Sequence, residues 1–164
     1  KNGIAKAKKK AGRDAKDGII VPYIHPGSKL GVIVEINCET DFVARTDAFK
    51  DFSRDIAMHI AASSPMGISR EDISEDIISK EKEIFKDQAL QSGKPENIIE
   101  KMIEGRLNKF YQENVLLEQN FVKDPDKIIS DLLSDTISTL GENIEIKRFS
   151  RFQLGELTKP EDKS

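Results

Sequence analysis

The 164-residue sequence has one cysteine, two histidines and no long apolar run. A single cysteine, Cys38, excludes a disulfide framework within the chain and any multi-cysteine metal site. No apolar stretch approaches the roughly 20 residues that span a bilayer, which excludes a helical membrane protein. The basic opening segment, Lys1 to Arg13, is not followed by an apolar stretch and does not read as a signal peptide. A cytoplasmic location is therefore the default expectation. Enzyme signatures are missing too: there is no G-x-x-x-x-G-K-[ST] loop, no G-x-G-x-x-G after a strand and no H-E-x-x-H. His25 and His59 are the only imidazoles. A Cys38–His59 nucleophile pair lacks a third, orienting residue. The many carboxylates sit in charge-alternating stretches such as Glu81-Lys82-Glu83, where solvated pairs are the ordinary outcome. The residues thus predict a protein that is not an enzyme and holds neither cofactor nor metal.

What the sequence does contain is charge, 34% of residues against 37% hydrophobic, which fits one ordinary domain or a domain with an appended subdomain. A domain of this size buries roughly 70% of the surface its unfolded chain exposes, enough for a real core. The net charge of −3 conceals an asymmetry. Residues 1–13 carry six positive charges and no negative one, leaving 20 basic against 29 acidic side chains in the remainder. An acidic body argues against a broad nucleic-acid surface. The basic arm reads as a solvated helix end or linker, although it could touch phosphate. A ribosome- or RNA-associated module using that arm is the alternative function class, and no direct nucleic-acid substrate is expected. The chain does not begin with Met, and Lys1-Asn2-Gly3-Ile4-Ala5-Lys6 has the character of a helix end running into a linker. Residues 1–16 are therefore expected to be a basic linker from a further N-terminal module.

Hydrophobic periodicity predicts the elements. Residues 18–25 are β-branched and aromatic, with Pro22 pointing to an edge strand, and Pro26-Gly27-Ser28 is turn chemistry. Leu30, Val32, Val34, Ile36 and Cys38 then alternate with their neighbours, the pattern of a half-buried strand. On that pattern Cys38 is a small buried hydrophobe. After Thr40 the period becomes helical: Phe49, Phe52, Ile56 and Ile60 form one stripe, ended by Ser63-Ser64-Pro65-Met66-Gly67. Two further helices, one starting at Ser74 and one near Pro95, should fold back across Ser92-Gly93-Lys94 as a hairpin over about 74–113. Asp124-Pro125 resembles a cap and first turn for a fourth helix, which Gly141 ends. Residues 143–149 alternate like a strand and can pair only with the early hairpin. The tail 156–164 is polar and expected to fray. The expected fold is α+β: a three-stranded, mostly antiparallel sheet packed on helices, with a projecting antiparallel helical hairpin, in a single core over 17–155.

The most informative stretch is Glu35-Ile36-Asn37-Cys38-Glu39-Thr40-Asp41-Phe42-Val43-Ala44-Arg45, where a strand gives way to a helix. Thr40 can cap that helix, and Asp41 suits its positive end. Phe42 either tucks under the corner into the core, the usual fate of a phenylalanine, or projects from it. This segment resembles the signature of the elongation factor Ts family. Asp55–Ala62, Gly93–Ile98, Glu104–Tyr111, Leu117–Asp124 and Gly141–Phe149 resemble that family's further motifs in the same order, covering nearly the whole chain. The resemblance implies a nucleotide exchange factor for elongation factor Tu, in which the residues matching Thr40, Asp41, Phe42 and Val43 reach toward the partner's Mg²⁺ site and dislodge the ion. His59 and Arg45 are further candidates for contact with the partner. Asp41 is open to two roles, as a helix-dipole partner or as a direct disturbance of that site. Nothing within the 164 residues resembles the family's ubiquitin-associated-like N-terminal module, which is expected to precede Lys1, and a single copy of the core is expected. Short members with one copy are associated with homodimers.

Overall fold

The structure, a computed structural model, describes residues 2–156; most of the tail expected to fray, 157–164, lies outside them. The fold is α+β. Helix α1 spans Asn2–Lys10, strands β1 Asp17–Ile24 and β2 Leu30–Cys38, helices α2 Asp41–Ala44 and α3 Asp47–Ser63. Helices α4 Glu75–Leu90 and α5 Glu96–Asn114 follow, then strands β3 Asn120–Phe121 and β4 Asp124–Ile128, helix α6 Ile129–Leu140 and strand β5 Glu145–Gln153. The described residues divide into two compact units, 2–64 with 131–156, and 65–130.

The first unit is built on the sheet. Its order is β1-β2-β5, with both pairings antiparallel, so the closing strand does pair with the early hairpin. Pro22 lies on an edge strand, where its missing N–H is tolerated. Central strand β2 buries Val32, Val34, Ile36 and Cys38 completely or nearly so, and α3 packs on this face with Phe49, Phe52, Ile56 and Ile60. Strand β5 is longer than the alternation predicts, and its register against β2 shifts between Glu35 and Ile36. Glu35 pairs with Arg148 and Ile36 with Ile146, which leaves Lys147 as the extra residue of a β-bulge. Ile144 and Ile146 are buried before the bulge, whereas Phe152 beyond it is 71% exposed. The outer face consequently carries Ile20, Ile24, Ile33 and Phe152, together with a Glu35–Arg148 ion pair of 2.8 Å. At the other end of β5, the Arg151 guanidinium donates to the Ala61 carbonyl at 3.0 and 3.2 Å, neutralising the C-terminal end of α3.

The second unit contains the helical hairpin. Ser74 caps α4 by accepting from the Ile77 N–H, and the chain turns through Gly93, which has φ +71°. Helices α4 and α5 pack on each other antiparallel, with Arg106 donating to Gln88 and stacking over Phe85. Asp124-Pro125 does not start a helix. These residues begin β4, which pairs with β3 across a Val122-Lys123 turn, and α6 starts only at Ile129. Pro125 is tolerated in this short ribbon for the same reason as Pro22, so an Asp-Pro pair fits either setting.

Gly18 is the residue that lets β1 enter the sheet. It has φ +143°, and a Cβ there would lie 2.2 Å from the Ile36 carbonyl oxygen and 2.7 Å from the Asn37 Cα. Backbone cannot move away as a flexible side chain would. Gly18→Ala should destabilise the fold by about 1–3 kcal/mol, the scale of a strained backbone position. Chemical denaturation of the two proteins checks this, and an unchanged midpoint would show that β1 can reseat.

Candidate functional site

The corner between β2 and α2 is made by residues that end one element and begin another. Cys38 finishes β2 facing inward and fully buried. Two residues later Thr40 takes extended backbone, φ −131°, and caps α2: its Oγ1 accepts from the Val43 N–H at 3.3 Å. The Thr40 carbonyl accepts the Ala44 N–H at 3.2 Å and the Cys38 thiol at 3.1 Å. The helical run expected after Thr40 is not continuous. It stops at Arg45 and restarts under a second cap, where Thr46 Oγ1 accepts from the Phe49 N–H at 3.2 Å while donating to the Val43 carbonyl at 2.7 Å. Two threonines six residues apart thus make two helices from one hydrophobic period.

This short helix sorts its side chains sharply. Val43 and Ala44 are buried, while Phe42 is 75% exposed. Phe42 therefore does not tuck under the corner. Its backbone is held on both sides, by the Thr40 cap before it and by two buried residues after it. Asp41 is exposed and forms an exposed i,i+4 ion pair with Arg45 at 3.6 Å. A pair this exposed is worth little and exchanges readily with other charges. The structure thus brings Thr40, Asp41, Phe42, Val43 and Arg45 together. His59 lies elsewhere, within α3 at 0% exposure, and offers no surface for direct contact. The stripe of Phe52, Ile56 and Ile60 is wide enough to carry His59 inside with it. Among the described residues no group of three or more His, Cys, Asp or Glu is placed to hold a metal ion, and no helix is long and apolar enough to cross a membrane.

The family profile described as Elongation factor TS matches residues 4–156. The chain belongs to the elongation factor Ts family. The protein named elongation factor Ts of Geobacter sulfurreducens is 58% identical over 156 residues, covering 95% of this chain and 72% of that protein. The one from Carboxydothermus hydrogenoformans is 58% identical over 161 residues, with 98% and 74% covered. That of Thermoanaerobacter sp. strain X514 is 56% identical over 154 residues, with 94% and 76% covered. The segments that carry the resemblance to the elongation factor Ts family include the exposed corner and the closing strand.

Sequence reasoning missed the groups that fasten this corner from behind. Glu142, in the loop after α6, accepts from the Glu39 and Thr40 N–H groups, each at 3.1 Å, and from the Thr40 hydroxyl at 2.7 Å. Glu39 returns the contact, accepting from the Asn143 N–H at 2.6 Å. Asn143 donates in turn to the Arg13 carbonyl at 2.9 Å. No local pattern announces contacts that cross about a hundred residues of sequence.

Burial, followed by the nearby Glu142 carboxylate, pushes the Cys38 thiol up to about 11 from 9.0. The thiol is neutral and inert at physiological pH. The folded state holds this proton to higher pH than the unfolded chain, so the associated stability is complete below 9.0 and disappears as pH rises toward 11. In chemical denaturation the wild-type midpoint should fall across that interval more steeply than that of Cys38→Ser, whose hydroxyl does not ionise there. Parallel curves would show that the thiol titrates alike in both states.

Proposed function

We propose that the protein is a guanine nucleotide exchange factor for elongation factor Tu, acting in translation elongation by promoting GDP release. The observation that carries this reading is Phe42, three-quarters exposed on a corner whose next two residues are buried. Phenylalanine presented so openly on a fixed backbone is suited to insertion into another protein. Membership of the elongation factor Ts family supports the choice of partner.

The chemistry asked of such a factor is modest. A GTPase holds its nucleotide largely through phosphate and Mg²⁺ contacts. A factor that binds the nucleotide-free form more tightly weakens nucleotide binding by the same factor, because the two equilibria are linked. No general acid or base is required. Phe42 is the wedge, Asp41 places negative charge beside it and disturbs the Mg²⁺ site, Thr40 fixes the turn, and Val43 roots it in the core. Arg45 exchanges its pairing with Asp41 for contact with the partner.

Truncating a well-seated interface aromatic often costs about 2 kcal/mol or more. If that loss falls on the transition state for release, Phe42→Ala slows GDP release roughly 30-fold, at about 1.4 kcal/mol per decade. Asp41→Asn keeps the size and removes the charge, so its defect should shrink when Mg²⁺ is chelated. Release of labelled GDP from elongation factor Tu against Mg²⁺ concentration measures both, with thermal melts as the folding control. Wild-type rates from a folded Phe42→Ala protein would end the wedge reading.

The outer face of the sheet supports a second copy of the chain as a further partner. Ile20, Ile24, Ile33 and Phe152 are exposed there, beside a Glu35–Arg148 pair that supplies both signs of charge. A two-fold interface must complement itself, which such a face can do when two sheets stack. Phe152→Glu should then shift a concentration-dependent dimer to monomer in sedimentation, and a wild-type protein that stays monomeric at high concentration would rule it out.

A further inference from the structure

We propose that Glu142 is a positioning residue for exchange, holding the Thr40–Val43 corner in the geometry that presents Phe42. The proposal rests on the exchange reading above and extends it to a residue in a different part of the chain.

The argument begins with what a carboxylate can and cannot do. An ionised Glu142 only accepts hydrogen bonds. It accepts two from backbone N–H groups of the corner through Oε1, and one from the Thr40 hydroxyl through Oε2. Because the Thr40 proton points to Glu142, the lone pairs of Oγ1 are free to accept the Val43 N–H, the bond that starts α2. Glu142 thus sets the polarity of the cap as well as the position of the backbone. It also fills the sites of Glu39 and Thr40 that would otherwise be left to water, since β2 pairs with its neighbours only as far as Cys38 and Asn37.

The clasp is reciprocal. Glu142 belongs to the loop that leaves α6, and Glu39, at the corner, accepts the next N–H of that loop from Asn143. Each segment caps the other with a carboxylate. Charge-assisted bonds of this kind are about twice as strong as neutral ones. The remaining contacts of the corner, the Val43 and Ala44 side chains and the Cys38 thiol, fix where it is rooted. The Glu142 contacts act on the two residues immediately before Asp41 and Phe42. Their loss should loosen the presented side without removing the rooted one, so the protein stays folded.

The test uses Glu142→Ala, Glu142→Gln, Phe42→Ala and the Glu142→Ala/Phe42→Ala double variant in GDP release from elongation factor Tu. Glu142→Ala should lower the rate at saturating factor about tenfold and change the half-saturating concentration less than threefold, because the rest of the docking surface is unmoved. Glu142→Gln should recover part of the rate, since one acceptor oxygen remains. In the Phe42→Ala background the same change should add less than twofold, as expected for a residue that acts through Phe42. A second readout needs no partner: amide hydrogen exchange at Thr40 and Val43 should quicken in Glu142→Ala while the centre of β2 is unchanged. Full activity in a folded Glu142→Ala protein, with Phe42→Ala slow, would overturn the positioning role and leave the exchange reading intact. Additive defects in the double variant would also overturn it. A wild-type chain that does not speed GDP release would instead overturn the exchange reading. Wild-type release from Phe42→Ala would remove the wedge that Glu142 is proposed to position, and unchanged protection at Thr40 and Val43 would independently refute the hold of Glu142 on the corner.

Discussion

Strand β2 is hydrogen-bonded along both edges, to β1 and to β5, so the choice of face is the only freedom left to its side chains. Val32, Val34, Ile36 and Cys38 take the inner face and are buried. Each large apolar side chain so placed contributes roughly 1.5–3 kcal/mol, and a slip of one residue would turn all of them outward. The register that this burial fixes also fixes where the strand ends. Cys38 must finish inside, the backbone must leave the sheet at once, and Thr40 is the first residue able to start a helix. The corner therefore begins where the alternation of the core ends, and the caps at Thr40 and Thr46 decide how it continues.

That alternation is also why so much of the fold was legible. Period-2 patterns marked β2 and the start of β5, β-branched and aromatic composition marked β1, and helical stripes marked α3 to α6, most clearly in α3, which buries a continuous apolar face. The misreadings share a cause: they occur where an element is defined by hydrogen bonds to something distant or to a single side chain. The break between α2 and α3 depends on Thr46 turning its hydroxyl to Phe49, which leaves no trace in the hydrophobic period. Asp124-Pro125 satisfies the requirements of a helix start and of a short ribbon equally, and pairing with Phe121 decided for the ribbon. Alternation continued through β5 would have sent Phe152 into the core. One bulge residue, Lys147, reverses the faces beyond it and sends Phe152 outward.

The corner divides in the same way. Thr40 as a cap and Asp41 in the first turn could be read directly, since both follow from local helix chemistry. Phe42 could not be assigned, because an apolar residue between a cap and a buried Val43 has two outlets. The structure resolves it through the shortness of α2: one turn has a single rooted side, and Val43 with Ala44 already occupies it. His59 shows the converse. A polar residue beside a helical stripe invites a functional reading, yet the stripe of α3 is broad enough to bury it entirely.

On the exchange reading, the fastening of this corner matters as much as the exposure of Phe42. Burying a phenylalanine side chain yields roughly 1.5–3 kcal/mol, and each 1.4 kcal/mol of it turned against a bound nucleotide is about a factor of ten. Ordering a loose backbone costs about 1–2 kcal/mol per residue. A corner in which Thr40 to Val43 had to order on docking would therefore lose about 4–8 kcal/mol, more than the wedge can return. Here the ordering is completed during folding, by the Thr40 cap, the Cys38 thiol, the buried Val43 and Ala44, and the Glu142 carboxylate. On the exchange reading, what Phe42 would gain on insertion is then left to oppose the nucleotide. On that reading, rigidity is the property that converts an exposed aromatic ring into displacement of a ligand, and the contacts behind the ring supply it.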